Sequence, residues 1–195
     1  MPAEILLDYL AKSSVFRKMQ FQVVFQCAPV LKGVKASNLI TIPKGFWSKL
    51  KREWENSKIR WICLASGREN DVVLLYREKW LINLLGKAEV MAFLEKYGYT
   101  VFNLEPVLSR LACRYAAYSM GESGFPHELG IFLQYPLRDV EAFIENEGKN
   151  SLFTGYWKVY HNPGEARRVF GMYDRVREKA AREFMSGFAV EQIIV

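Results

Sequence analysis

Two apolar, β-rich runs, residues 59–65 and 72–76, stand on either side of Ser66-Gly67-Arg68-Glu69-Asn70-Asp71. Turn-forming chemistry between two strand patterns leaves an antiparallel hairpin as the simplest reading. No other stretch constrains the chain as tightly, and the other elements are read around it. Half of the 195 residues are hydrophobic and 14% are aromatic, enough to build a core for one domain spanning residues 1–195. The charged share of 25% is that of an ordinary globular chain and argues against disorder.

On the N-terminal side of the hairpin, Ile5, Leu6, Tyr9, Leu10 and Phe16 predict an amphipathic helix over residues 3–18, packing on the body. Residues 20–26 alternate, with Phe21, Val23 and Phe25 on one face, and predict a strand. Pro29 suits the first turn of a helix, so a short helix over residues 29–35 is expected, weakened by Gly33. Cys27 would then sit at or just before a helix N-terminus. Trp47, Leu50 and Trp54 predict a further helix over residues 46–54.

On the C-terminal side, helices are expected over residues 78–85 and 87–97, the second stopped by Gly98. Asn103 caps the next, with Pro106 in its first turn and an apolar stripe of Leu104, Leu108, Leu111, Tyr115 and Tyr118. Residues 129–133 are continuously apolar and read as a core strand, followed by a helix over residues 137–146 that Gly148 ends. Residues 155–160 predict another strand, the longest helix runs over about 163–186, and residues 189–195 predict a terminal strand. A hairpin followed by strand–helix units gives an α/β or α+β single domain, with a central mixed sheet and flanking helices.

The net charge of +6 comes from basic residues that are dispersed and alternate with acids, as in Arg175-Val176-Arg177-Glu178-Lys179. Such dispersal speaks for solubility, and a nucleic-acid partner is not expected. Cys27, Cys63 and Cys113 are far apart and form no CxxC pair, so neither a disulfide framework nor a zinc site is indicated. No run reaches the roughly 20 apolar residues of a membrane helix, and residues 1–4 lack the basic start of a signal peptide. The expected location is the cytoplasm.

The sharpest constellation for chemistry is Cys27, His127 and an acid, Asp139 or Glu128. A thiolate can be stabilised by a helix N-terminus or an imidazolium, His127 could take the thiol proton, and the acid could hold the imidazole tautomer. That chain order is similar to the one in papain-like hydrolases and transferases. The competing reading is structural: a buried cysteine is commonly inert, and Asp139 belongs electrostatically in the first turn of a helix.

His127 and Glu128 could instead join Cys27 or His161 around a metal or haem, although no partner stands at i+3 or i+4. Lys35, Asn38, Arg77 and Arg114, with Arg110, offer an anion site, since arginine forks suit carboxylate and phosphate. No GxxxxGK[ST], GxGxxG or GxSxG motif occurs, which disfavours the usual nucleotide enzymes and hydrolase elbows. No cofactor is indicated.

Four blocks together carry a resemblance. They are Gln26-Cys27-Ala28-Pro29 with Leu31, Lys35 and Asn38; Leu74-Leu75-Tyr76-Arg77; residues 125–144; and Gly155-Tyr156-Trp157-Lys158-Val159-Tyr160. In this order, over nearly the full length, the chain resembles the bacterial family known as domain of unknown function 3793. Gln134 stands where that resemblance puts glycine, and Val30 where it often puts threonine. The resemblance implies a small stand-alone cytoplasmic protein of anaerobic Firmicutes-type bacteria, and it implies no activity. The residues alone point to a pocket around Cys27 and His127 for a small anionic ligand or an acyl substrate. The alternative is a non-catalytic domain that binds a ligand or a protein partner.

Overall fold

A computed structural model describes residues 3–55, 57–100 and 103–195. The chain has a mixed α+β fold built on a three-stranded antiparallel sheet, with a second, two-stranded sheet at its side. The hairpin is there. Strand β2 (Arg60–Ser66) pairs with β3 (Asn70–Tyr76), and β1 (Ser37–Pro43) pairs with the other side of β3, giving the order β1-β3-β2. Every pairing is antiparallel, where the strand–helix units had suggested a mixed sheet. A bulge between Cys63 and Ala65 adds one residue to β2, and Leu64 is buried there.

The sheet is covered on both faces because its strands are apolar on both. Ile40, Ile42, Val73 and Leu75 pack into one core with helix α2 (Val15–Leu31), the end of α9 (Pro163–Met185) and α10 (Val190–Ile193). Leu39, Ile62, Leu64, Val72 and Leu74 face a second core. Its other wall is α4 (Glu78–Leu85), α5 (Ala88–Glu95), α6 (Leu104–Ser119), α7 (Leu129–Phe132) and α8 (Leu137–Glu145). A smaller cluster joins β4 (Phe153–Thr154) and β5 (Lys158–Val159) to the first half of α9 through Trp157, Val159, Ala166 and Tyr173. Helix α1 (Ala3–Lys12) lies at the edge of the first core, and α3 (Trp47–Leu50) runs on into a 3-10 turn at Lys51–Trp54.

Three apolar runs take a different form from the one their pattern suggested. Residues 20–26, read as a strand, lie inside α2, and Pro29, read as opening a helix, lies in its last turn. Phe21, Val23, Val24, Cys27, Ala28, Val30 and Leu31 are all at most 5% exposed, so the second half of the helix is apolar except along the stripe of Gln22 and Gln26. That breadth hides the 3.6-residue period and mimics alternation. Helix α1 stops at Lys12 instead of continuing to residue 18 because the Ser14 hydroxyl accepts from the Arg17 N–H and starts α2 afresh. Residues 129–133 form the single turn α7 rather than a strand, and residues 190–193 form α10 where a terminal strand was expected. Of residues 155–160, only Lys158 and Val159 are paired.

Two helix ends close in the same way. At the end of α2, Val34 N–H reaches Pro29 O at 2.9 Å and Gly33 N–H reaches Val30 O at 3.2 Å, with Gly33 at φ 64. At the end of α7, Tyr135 N–H reaches Gly130 O at 2.9 Å and Gln134 N–H reaches Ile131 O at 2.8 Å, with Gln134 at φ 59. Both are Schellman closures, whose left-handed position normally falls to glycine. Gln134, where the resemblance puts glycine, offsets its strained φ with a 2.6 Å acceptor contact from Oε1 to the Ala36 N–H.

Arg77, at the end of β3, fixes the end of α2 from outside. Its Nε donates to Val30 O and its Nη2 to Leu31 O, both at 2.7 Å, and Nη2 also donates to the Val195 main-chain oxygen at 2.6 Å. The side chain is buried, and an apolar substitute would remove its donors, leaving Val30 O with the Gly33 N–H and Leu31 O with the Val195 N–H alone. Arg77→Met is expected to lower unfolding free energy by about 4 kcal/mol, and Arg77→Lys by about half of that, since a point charge reaches fewer of the oxygens. Urea denaturation followed by circular dichroism checks both; a loss under about 1 kcal/mol for Arg77→Met would show that the oxygens find other donors.

Candidate functional site

The residues singled out from sequence fall into separate surroundings. Cys27 is fully buried within α2, facing the first core, and no helix begins beside it. Burial raises its thiol from 9.0 to about 12, with Lys35 pulling weakly the other way, so the neutral thiol dominates at physiological pH. Lys35 comes shortly after the end of α2 and is 3% exposed. Burial lowers its amine from 10.5 to about 8, opposed by the charge of Cys27. Its Nζ lies 5.5 Å from the Tyr135 ring centre and 5.6 Å from that of Tyr173. Asn38, on β1, donates to Gln26 O at 3.4 Å, and its Oδ1 is buried without a hydrogen bond. Arg77 spends its Nε and Nη2 donors on the main-chain oxygens of Val30, Leu31 and Val195.

Glu128 and Arg114 form an ion pair. Arg114 Nε donates to Glu128 Oε1 and Nη2 approaches Oε2 at 3.4 Å, while the buried Tyr99 hydroxyl donates to Oε1 at 3.2 Å. The Glu128 side chain is fully buried and that of Arg114 is 34% exposed. Burial, and then the neighbouring carboxylate, hold the Tyr99 hydroxyl well above the usual phenol range. This group ties α6 and the segment after α5 to the turn that leads into α7. It is built as a structural joint, with its acceptors occupied.

Asp139 is equally committed. It lies in the first turn of α8, where the helix N-terminus favours a carboxylate. Oδ2 accepts the Trp157 indole N–H at 2.7 Å, and Oδ1 accepts the Tyr160 and His161 main-chain N–H groups at 3.0 and 2.8 Å. His161 Nδ1 stands 3.3 Å from the same Oδ1. The imidazole that Asp139 orients is therefore that of His161, which sequence reasoning had placed only as a possible metal ligand. The one signal for it was its position directly after a strand-like block ending in Tyr160.

His127 is placed differently. It sits in the turn before α7, its ring 5.4 Å from that of Phe125 and 5.4 Å from that of Phe143, and among the described residues no hydrogen bond reaches it. It lines an apolar pocket of about 290 Å3 between α7, α8 and the β4–β5 hairpin. The walls include Leu129, Val140, Phe143, Tyr135 and Trp157, with Asp139 and Lys158 also at its boundary. Tyr135 and Trp157 stack at 5.4 Å with 31° between their planes. The floor depends on Gly130, where an added Cβ would come within 2.9 Å of Val140 Cγ2. Of the candidate groups named from sequence, this pocket brings together His127 and Asp139, while Cys27, Glu128, Lys35, Asn38, Arg77 and Arg114 are not among its walls. A broader groove of about 920 Å3 lies next to it, lined by His161, Tyr135 and Tyr173 among others. Among the described residues no three His, Cys, Asp or Glu side chains converge as metal ligands, and no helix is long and apolar enough to cross a membrane.

Glu128→Ala is expected to cost about 2 kcal/mol of unfolding free energy, below the range for a fully buried pair because Arg114 is partly solvated. Glu128→Gln, which keeps an acceptor for Tyr99, should cost less. Equal losses in urea denaturation would instead assign the whole effect to the charge.

Alkaline stability depends on Lys35 and Cys27 with opposite signs. Between about pH 8 and 10.5 the unfolded chain holds the Lys35 proton more tightly than the folded one, so folding gains stability as pH rises. Between 9.0 and about 12 the folded chain holds the Cys27 proton more tightly, so folding loses stability as pH rises. Each slope is about 1.4 kcal/mol per pH unit where only one of the two titrates. The unfolding free energy of wild type minus that of Lys35→Met, in which other titrating groups cancel, should therefore rise from pH 8 to 10.5. A flat difference would mean that the Lys35 amine titrates as if in water.

Comparison with known proteins gives one match. No curated protein and no solved structure matches the chain. The family model described as protein of unknown function (DUF3793) matches residues 23–194, which takes in the three-stranded sheet, the pocket and every candidate residue named from sequence, and the chain belongs to that family.

Proposed function

We propose that the protein is a binding domain for a small, largely apolar ligand carrying one hydrogen-bonding group, held in the pocket beside His127. The observation that carries this reading is the His127 ring itself. It is half-buried between two aromatic rings, lines the pocket, and has no hydrogen-bond partner among the described residues. Its nitrogens are not among the fully buried polar atoms without a partner, so water can reach them and a ligand in the pocket can take that water's place. The charged groups at the pocket wall have partners of their own, whereas the Tyr135 hydroxyl, like the His127 ring, has none among the described residues. Asp139 accepts from Trp157, Tyr160 and His161, and Lys158 Nζ donates to Gly148 O at 2.6 Å.

A pocket of about 290 Å3 is at the small end of ligand sites, and its aromatic walls favour a flat ring over a sugar or a phosphate. Acyl transfer through Cys27 has less support. A nucleophilic thiolate needs a stabilised charge and an approach, and burial opposes both at Cys27. The same fold therefore supports recognition better than turnover by a Cys–His pair.

Titration of the methyl resonances of Leu129 and Val140 with p-cresol and with toluene tests the reading. Both ligands should give saturable shifts. His127→Ala should weaken p-cresol about tenfold, the equivalent of one hydrogen bond of about 1.4 kcal/mol, and leave toluene unchanged. The reading fails if neither ligand saturates, or if the variant weakens both equally.

A further inference from the structure

The segment between α2 and β1 is held in place on several sides. Ala36 N–H donates to Gln134 Oε1 at 2.6 Å, Ser37 Oγ donates to Phe132 O at 2.6 Å, and Arg77 N–H donates to Ala36 O at 2.9 Å. Lys35 is thus fixed beside the end of α7, its position set by neighbours rather than by a free loop. Its side chain is 3% exposed, and its ammonium meets the ring faces of Tyr135 and Tyr173 at 5.5 and 5.6 Å. Two ring faces attract a cation but offer no conventional acceptor to its three N–H donors, and the Nζ, which is not among the fully buried polar atoms without a partner, keeps a narrow contact with solvent. Among the described residues, no hydrogen bond or ion pair reaches Nζ, and the titratable group coupled to it is the neutral Cys27 thiol.

A lysine this buried ordinarily has an anion beside it. Here the fold supplies two π-faces and no carboxylate. Both tyrosines, though not Lys35 itself, line the groove of about 920 Å3, so a groove ligand would touch the rings that cage the ammonium before it reached the ammonium. Tyr135 and Trp157, whose ring centres lie 5.4 Å apart, line both the groove and the His127 pocket.

We infer that Lys35 is the anchor of a second site, in which a small carboxylate attached to an apolar body enters from the groove between Tyr135 and Tyr173 and pairs with the ammonium. A monoanion matches the single positive charge, and aromatic walls match an apolar body. Arg77, the candidate arginine nearest in sequence, is spent on main-chain oxygens, whereas Lys87, Lys96, Arg138 and Arg168 line the groove, so phosphate is the competing anion that the test separates from a carboxylate. The site adjoins the one beside His127, and Tyr135 and Trp157 line both cavities.

The test uses the full chain and reads Lys35 directly. Reductive methylation of each lysine is followed by peptide mass spectrometry against pH, in buffer alone, with benzoate, and with inorganic phosphate. Benzoate should slow methylation of Lys35 saturably, by at least about fivefold, and move its labelling midpoint to higher pH, while exposed lysines such as Lys12 and Lys149 keep their rates. Phosphate should leave Lys35 unchanged. Lys35→Met should abolish saturable benzoate binding by calorimetry and retain toluene binding in the His127 pocket, which also shows that the variant is folded. The inference is overturned if Lys35 labels at the same rate with and without benzoate, if phosphate protects as well as benzoate, or if Lys35→Met binds benzoate like wild type.

Discussion

The main-chain oxygens of Val30, Leu31 and Val195 meet at one corner of the molecule, and the guanidinium of Arg77 bonds to all three. The second half of helix α2 is largely buried and ends inside the protein, where its last carbonyls need donors from the chain. Buried carbonyls without donors would cost more than the burial of that turn returns. Placing a guanidinium at the end of β3 meets the requirement and joins the central sheet, the main core helix and the segment after α10. Gly33, at φ 64, allows the chain to turn away directly beneath it, with Arg77 Cζ only 3.6 Å from where a Cβ would stand. The next residues, Lys35 to Ser37, inherit their position from that turn.

The second face of the sheet carries the polar joints that shape the site. Glu128 binds Arg114 and Tyr99, and Asp139 binds Trp157 and the backbone at Tyr160 and His161. Each carboxylate is saturated by partners from a different element, so each fixes an angle between elements and has little capacity left for chemistry. They bracket α7, the single turn whose Gly130 lets α8 approach closely. The pocket beside His127 is the space these joints leave open. His127 and Lys35 are polar side chains of this region that the joints do not use.

Acidic and basic residues in one block of sequence invite a reading as a catalytic group, and here the tertiary contacts divide them. His127, Glu128 and Asp139 are close in the chain, yet the imidazole beside Asp139 is that of His161, 22 residues away. A carboxylate takes whichever donors the fold brings within about 3 Å, and sequence proximity has no part in that choice. The same holds for Lys35 and Cys27, whose mutual influence on titration was invisible until a single turn after α2 placed them together.

Local chemistry alone determined a good deal about this chain. The hairpin was legible because turn residues and strand residues alternate sharply around residues 66–71, and α4, α8 and α9 because their amphipathic stripes are regular. The family blocks were legible too, and the matching family model covers them. Only the tertiary structure decided the form of residues 20–26 and 129–133, since a short run with most of its residues apolar carries too little period to tell helix from strand. It also decided the strand β1, whose Asn38 and Pro43 are poor strand formers and whose place comes from pairing with β3. The partners of Arg77, Asp139 and Glu128 came from the tertiary structure as well. Arg77 and Val195 are 118 residues apart, and hydrogen bonds over such separations exist only once packing has brought their two ends together.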